Sequence, residues 1–279
     1  MSTHRFTQLD VFSADALRGN PLAVVHSADD LSEADMAAFA RWTNLSETTF
    51  LLRPTDPAAD YRVRIFTPHT EFPFAGHPTL GSCRAWLDAG GMPQREGVVV
   101  QECGAGLVSI RRDGARLAFA APPCTRTGPL EPDVLAQIGR ALRLAPSDIV
   151  GHQWVDNGPG WCAIRLASAA QVLALQPDWA ALDGLKLGVI GPHEPGAAAQ
   201  FEVRALIGSG GGFEDPVTGS LNASLAQWLI GTGVAPARYV AAQGHALGRA
   251  GRVHVERDAQ NTFWIGGDVT PCVHGTLTL

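Results

Sequence analysis

The sequence lacks the signatures of several large functional classes. It has no GxxxxGK(S/T) phosphate loop and no strand–GxGxxG–helix unit, which argues against nucleoside triphosphates and dinucleotides as ligands. No window approaches the roughly 18 apolar residues that a membrane span needs, and the N-terminal stretch MSTHRFTQLDVF has no apolar signal core. Lys and Arg form no cluster and the formal net charge is −6. We therefore expect a cytoplasmic protein with neither a membrane nor a nucleic-acid partner.

Cysteine and histidine spacing exclude further classes of site. The five cysteines are odd in number and scattered, without a CxxC pair: Cys83, Cys103, Cys124, Cys162 and Cys272. Such usage predicts reduced thiols packed as small apolar groups. His69 and His77 have no second pair of metal ligands close to them, and no GxSxG nucleophile motif is present. We expect no metal and no other cofactor.

Abundant turn formers indicate an α/β or α+β chain. The 279 residues are 46% hydrophobic and 17% charged, which is typical of a globular protein. This length fits either one large domain or two lobes. Thirty-one Gly and nineteen Pro predict many tight turns between short elements rather than a helical bundle.

The second half of the sequence repeats the plan of the first. The predicted strand YRVRIF at 61–66 has a counterpart in FEVRAL at 201–206, and RGNPLAVV has one in DNGPGWCAIRL. The motif E-x-P-x-x-G occurs at 71–76 and again at 214–219, and each copy precedes a predicted helix that carries Trp-Leu near its end. Three matched elements in one order predict two similar lobes.

We place these lobes at residues 1–122 and 126–279, on either side of a Pro-rich hinge near residue 125. The last strand is free to return to the first lobe. An active site is expected in the cleft between them.

Each E-x-P-x-x-G motif predicts a helix start that is suited to anions. Gly76 and Gly219 allow a ligand to approach the backbone closely. His77 and Ser220 follow them at matching positions, where free N–H groups and the helix dipole favour negative charge. The simpler alternative is a turn followed by an ordinary helix cap. Two copies favour a small carboxylate-bearing substrate.

Two acids are candidates for proton transfer. Glu47 lies at the entrance of the apolar stretch TTFLL, where partial desolvation suits a carboxylate to acid–base work. A capping box from Asn44 to Glu47 is not expected, because the residues that follow are strand formers. Asp215 directly precedes Pro216. The alternatives are a solvated acid at a strand end for Glu47 and a turn residue for Asp215.

Five segments together resemble one known family: GNPLAVV, NLSETTF, RIFTPHTEFPFAGHPTLG, GGFEDPVTGSLNASLAQWL and QGHALGRAGRVHV. The chain resembles the PhzF-like family, named for a phenazine-biosynthesis isomerase, over essentially its whole length. The resemblance implies an α+β fold like that of diaminopimelate epimerase. Its two pseudo-symmetric lobes would each be a curved, mostly antiparallel sheet wrapped around a central helix.

The resemblance also implies functional residues. The proton-shuttling Glu of the family falls on Glu47, and its Gly-His pair falls on Gly76 and His77. Its second motif places substrate-binding residues at Asp215, Gly219 and Ser220. Racemases of the same fold use two cysteines directly before the two glycines. Here those positions hold Ala75 and Thr218, so two-thiol racemisation is excluded.

The leading hypothesis is a cofactor-independent isomerase that moves a proton at carbon in a small carboxylated, cyclic substrate, as in the isomerisation of trans-2,3-dihydro-3-hydroxyanthranilate. The alternatives are a racemase or epimerase with Glu47 and Asp215 as opposing bases, or a non-enzymatic binder of small acids. The resemblance further implies a homodimer. The sequence leaves the physiological substrate open.

Overall fold

Seventeen β-strands and five α-helices make up residues 2–279, which the computed structural model describes. The elements up to Ala120 are β1 (Thr3–Val11), β2 (Asn20–Val25), α1 (Glu33–Thr43), β3 (Thr48–Leu52), β4 (Tyr61–Phe66), β5 (Glu71–Phe72), α2 (Gly76–Asp88), β6 (Val98–Cys103), β7 (Gly106–Asp113) and β8 (Arg116–Ala120). The later elements are α3 (Pro132–Leu142), β9 (Gly151–Trp154), β10 (Trp161–Arg165), α4 (Ala169–Ala174), β11 (Lys186–Pro192), β12 (Phe201–Ile207), β13 (Phe213–Asp215), α5 (Gly219–Gly231), β14 (Arg238–Gln243), β15 (Gly251–Arg257), β16 (Phe263–Gly267) and β17 (Val269–Thr278).

These elements fall into two units. The first unit contains the chain up to Ala120 together with Gly266–Leu279, and the second unit is Ala121–Ile265. The C-terminal strand β17 belongs to the first unit because it pairs antiparallel with β1 along nearly its whole length.

The strand order of the second unit repeats that of the first. The pairs β1–β2 and β9–β10 are antiparallel, and the pairs β2–β3 and β10–β11 are parallel. The antiparallel pair β3–β4 corresponds to β11–β12, and the parallel pair β4–β6 corresponds to β12–β14. This pairing matches the internal repeat that the sequence predicts.

Helices α2 and α5 occupy corresponding places in the two repeats. Helix α2 packs against strands β1, β2, β3 and β8 of its own unit. Close approach depends on a missing side chain, since a Cβ at Gly81 would lie 2.4 Å from a methyl group of Leu22. In the second unit, a Cβ at Gly188 would lie 2.5 Å from a methyl group of Leu221 on α5. Glycine therefore brings each helix onto its sheet.

Local sequence signals explain the position of α1. The Ser32 hydroxyl accepts from the backbone N–H of Asp35, whose carboxylate accepts in return from the backbone N–H of Ser32, so the helix begins with a capping box. It ends at Asn44, which adopts the left-handed conformation with φ 54°. The rejection of a capping box from Asn44 to Glu47 is thus correct, and Glu47 follows a helix rather than starting one.

Candidate active site

The two glycine motifs occupy corresponding positions in the fold. Gly76 is the first residue of α2 and Gly219 is the first residue of α5, so His77 and Ser220 are each the second residue of a helix. The residues that precede the helices, Ala75 and Thr218, make no capping hydrogen bond with their side chains. The predicted helix starts are confirmed.

An Arg–Glu pair ties the approach to each helix to its sheet. In the first unit Arg64 donates two hydrogen bonds to Glu71, at 2.8 Å and 2.6 Å. In the second unit Arg204 makes the same bidentate contact with Glu214, with 2.7 Å for the shortest bond. Bidentate pairing of guanidinium and carboxylate fixes geometry as well as adding energy. Each motif therefore begins with a residue held by the strand behind it.

Glu47 and His77 form a buried pair in the first unit. The side chain of Glu47 is 14% exposed and that of His77 is 7% exposed, and Oε2 of Glu47 lies 3.4 Å from Nε2 of His77. Glu47 stands directly before β3, and His77 lies in the first turn of α2. The structure thus brings together two of the residues that the sequence singled out.

The protonation of His77 follows from its surroundings. Burial lowers the pKa of His77 to about 3, and a hydrogen bond to the carbonyl of Pro21 opposes that shift. The imidazole is therefore neutral at pH 7 and carries one N–H. Since Nε2 has no hydrogen-bond partner among residues 2–279, the N–H that Pro21 accepts is on Nδ1.

The neutral ring turns a lone pair towards Glu47. A carboxylate and an imidazole lone pair repel each other at this range, whereas a single proton between them makes the contact attractive. Glu47 and His77 can therefore hold one proton between Oε2 and Nε2, separated by 3.4 Å. Such a pair can donate or accept a proton without a charge being exposed to water.

A chain of hydrogen bonds orients Asp215 in the second unit. The Thr218 hydroxyl donates to Oδ2 of Asp215 and accepts from the side-chain amide of Gln243 at 2.9 Å. The oxygen of the Gln243 side-chain amide accepts from the Thr218 backbone N–H at 3.1 Å and from the side-chain amide of Asn222 at 2.8 Å. Gln243 is fully buried. It therefore fixes both the Asp215 carboxylate and the start of α5.

Two residues of the second unit hold Ser220. The indole N–H of Trp161 donates to Oγ of Ser220 at 3.0 Å. The side-chain amide of Asn157 donates to the Ser220 carbonyl, also at 3.0 Å. The Ser220 oxygen accepts from Trp161, and its O–H can still donate to a ligand.

Sequence reasoning missed Pro21, Trp161 and Gln243 as supports of these groups. Trp161 follows a turn recognised as part of the repeat, and Gln243 begins the segment QGHALG. Gln101 occupies the corresponding strand of the first unit, where its amide donates to Thr79 of α2 at 3.0 Å. Each glutamine lies on the first strand after its central helix, so matching β6 with β14 would have identified both glutamines.

The structure groups the predicted residues by unit. Glu47, Gly76 and His77 lie together in the first unit. Asp215, Gly219 and Ser220 lie together around the start of α5 in the second unit. Their functional roles stay predictions.

Residues 2–279 contain neither a cluster of metal ligands nor a candidate membrane-spanning helix. No three His, Cys, Asp or Glu side chains are grouped so as to hold a metal ion. Nor does any helix in that range have the length and apolarity to cross a membrane.

Comparisons with known proteins cover essentially the whole chain. A family model described as "Phenazine biosynthesis-like protein" matches residues 9–275. The sequence is 35% identical to antisense-enhancing sequence 1 of Schizosaccharomyces pombe, over 99% of both chains. It is also 35% identical to the trans-2,3-dihydro-3-hydroxyanthranilate isomerase of Pseudomonas aeruginosa, over 80% of this chain and 78% of that one.

A solved structure shows the same fold. The phenazine biosynthesis protein of the PhzF family from Enterococcus faecalis superposes with a TM-score of 0.83, at 24% identity and with all of both chains covered. The predicted α+β fold of this family is confirmed.

Proposed function

Because the chain belongs to the family of phenazine biosynthesis-like proteins, we propose that it is an isomerase that moves a proton between carbon atoms of a small carboxylated, cyclic substrate. The proton is carried by a side chain and not by a cofactor. The substrate class follows the relative from Pseudomonas aeruginosa, whose name gives trans-2,3-dihydro-3-hydroxyanthranilate as its substrate.

The observation that carries this proposal is the buried pair of Glu47 and His77. Their separation of 3.4 Å and low exposure suit them to hold one proton. As a carboxylate, Glu47 removes the proton from one carbon. The carboxyl group that results shares this proton with Nε2 of His77, which keeps the group oriented, and then returns the proton to another carbon. A positioned general acid–base typically contributes about 10²–10⁴-fold to the rate.

We assign recognition of the substrate's polar groups to Asp215 and Ser220. The Asp215 carboxylate, oriented by Thr218, accepts hydrogen bonds from an amino or hydroxyl group. Ser220, held by Trp161, donates its hydroxyl proton to an oxygen atom. That the motifs of the two units act on one substrate stays a prediction from the sequence.

Turnover in deuterated water tests the proposal. The purified chain should convert trans-2,3-dihydro-3-hydroxyanthranilate, and NMR of the product should show deuterium at the carbon that receives the proton or, with full internal return, the original proton moved to it. A shifted double bond supports isomerisation. Inversion of a stereocentre without a double-bond shift would instead support an epimerase. Binding with no proton movement in any such compound would contradict both.

Homodimerisation, cytoplasmic location and independence of cofactors also stay predictions. Light scattering checks the first of them, with an expected mass of about twice that of one chain at micromolar concentration. Activity that a chelator abolishes and one metal restores would contradict the third.

A further inference from the structure

The chain contains a single lysine, Lys186, and it stands at the first position of β11 in the second unit. The other side chains that are cationic at neutral pH are the twenty arginines. Lys186 is partly buried. Neither the glycine motifs nor the hydrogen-bond networks described above include its ammonium group.

Strand register makes Lys186 the counterpart of Glu47. On β3, Phe50 pairs with Arg64, the arginine that holds Glu71. On β11, Val189 pairs with Arg204, the arginine that holds Glu214. Counting back three residues from these matched positions gives Glu47 in the first unit and Lys186 in the second.

The two residues also lie on the same face of their strands. Two positions after Glu47, Thr49 accepts a hydrogen bond from Ser82 of α2 at 2.9 Å. Two positions after Lys186, a Cβ at Gly188 would meet Leu221 of α5. Side chains two residues apart share one face of a strand. Lys186 is therefore on the α5 face of β11, as Glu47 is on the α2 face of β3.

The neighbours of Lys186 connect it to Ser220. In the parallel pair β10–β11, Trp161 is the register partner of Lys186. The indole of Trp161 donates to the hydroxyl of Ser220, the second residue of α5. In the second unit Lys186 thus takes the position of Glu47, and Ser220 takes the position of His77. Trp161 lies beside Lys186 and binds Ser220.

We propose that Lys186 is a specificity-determining residue, whose ammonium group binds the carboxylate of the substrate next to Ser220. This inference rests on the proposed function for the identity of the substrate class, but not on the movement of a proton. An ammonium offers three donors and a full positive charge to a carboxylate. In a chain with a net charge of −6, a local cation also offsets the general repulsion of an anionic ligand.

Binding of anthranilate and of its neutral amide, anthranilamide, tests this role by isothermal titration calorimetry. The two probes share their ring and amino group and differ in the charge of one substituent. Wild-type protein should bind anthranilate more tightly. Lys186→Met should weaken anthranilate binding roughly 10- to 100-fold, as expected for a hydrogen bond to a charged group, and leave anthranilamide nearly unchanged. Lys186→Arg should restore much of the anthranilate affinity.

Arg238→Met is the matched control for charge. It removes one positive charge from the same unit, at a side chain that is 78% exposed and pairs with Glu256. Its affinity for anthranilate should stay within about twofold of wild type, because exposed charges are screened by salt. Equal weakening by Arg238→Met and Lys186→Met would overturn the proposal.

The single lysine permits a second, independent measurement. Reductive methylation with ¹³C-formaldehyde labels Lys186 and the N-terminal amine, and dimethylation keeps the charge of both. Addition of anthranilate should shift the Lys186 methyl resonance in ¹³C spectra and leave that of the N-terminal amine in place. Addition of anthranilamide should move neither.

These outcomes separate this inference from the proposed function. Lys186-dependent binding of anthranilate in a protein without isomerase activity would support the inference and contradict the function. Isomerase activity would support the function, and it would contradict the inference if wild type and Lys186→Met bound both anthranilate and anthranilamide with equal affinity. Absence of any anthranilate binding by wild type at millimolar concentration would also overturn the inference.

Discussion

The two units share one strand order and carry different chemistry at matching positions. Where the first unit has Glu47 and His77, the second has Lys186 and Ser220. The comparison indicates that the repeated scaffold sets where functional groups are placed, and that substitution on it decides what each unit does. In the function that we propose, the first unit moves a proton and the second recognises polar substituents of the substrate.

Strands β5 and β13, which occupy matching positions in the two units, also carry different residues. Phe72 pairs with Ile65 in the first unit, and Asp215 pairs with Ala205 at the matching position of the second. The preceding glutamates are alike in partner and unlike in burial. Arg64 and Glu71 have side chains that are 21% and 37% exposed, whereas those of Arg204 and Glu214 are 6% and 3% exposed. Loss of the buried pair should lower the free energy of unfolding much more than loss of the partly exposed pair, although the two pairs have the same geometry.

The largest expected effect tests that difference in stability. Glu214→Gln should lower the free energy of unfolding by about 3–5 kcal/mol, because it leaves the charge of Arg204 buried without its partner. Glu71→Gln should cost no more than about 1 kcal/mol, since Arg64 stays partly solvated and keeps Glu33 at 2.8 Å. Urea unfolding monitored by circular dichroism measures both. Equal losses in the two variants would show that burial does not distinguish the pairs.

The next effect concerns catalysis in the first unit. Glu47→Gln should reduce turnover at least about 100-fold while fold and ligand binding persist, because it removes the titrating group and keeps its shape. The matched control is Glu33→Gln, which changes an exposed acid of the same unit (73% exposed). Steady-state kinetics on trans-2,3-dihydro-3-hydroxyanthranilate checks the prediction. Near-normal turnover of the Glu47 variant would remove that residue from the mechanism.

A smaller effect is expected from the two buried glutamines. Gln243→Leu and Gln101→Leu should each cost about 1–3 kcal/mol in stability, because each leaves buried polar partners unsatisfied. Only Gln243 contacts the segment that carries Asp215, so only its variant should raise KM several-fold. Gln101 contacts Tyr61 and Thr79 instead. A rise in KM for Gln101→Leu alone would reverse the assigned roles.

The last effect is a pH dependence of opposite sign in the two units. In the first, burial lowers the pKa of His26 to about 4 and that of His77 to about 3, from 6.5. The unfolded chain then binds protons that the folded chain does not, so stability falls as the pH drops from 6.5 towards these values. In the second, burial raises the pKa of Glu202 from 4.5 to about 7, so its contribution is lost as the pH rises through 7.

Denaturant unfolding across pH separates these contributions. His26→Gln should flatten the stability curve between about pH 4 and 6.5 and leave the neutral range unchanged. Glu202→Gln should flatten it between about pH 4.5 and 7, although the contacts of Glu202 with His193 at 3.1 Å and His245 at 2.8 Å broaden that transition. Identical curves for wild type and both variants would contradict the assignment.

Local signals predicted much of this architecture. The periodicity of YRVRIF predicted β4 with the bounds found in the structure, Tyr61–Phe66. The duplicated E-x-P-x-x-G motif gave the starts of both central helices. Each of these depends on residues close together in the sequence.

Other features depend on distant segments and were beyond such signals. The contact of Glu47 with His77 and the burial of the Arg204–Glu214 pair arise only when strands and helix assemble. The roles of Gln243 and Trp161 likewise require knowing which strand lies beside α5. Composition and periodicity carry no information on which distant segments meet.

The pairing of β17 with β1 has a consequence for synthesis of the chain. Strand β1 ends at Val11 and β17 begins at Val269, so their partnership spans almost the whole sequence. At about 5–20 residues per second, a ribosome needs roughly 13–50 s to make the segment between them. During that time one edge of β1 has no strand to bind, while the contiguous second unit is already emerging. The nascent chain is therefore most open to aggregation, and to chaperones, at its N-terminal strand.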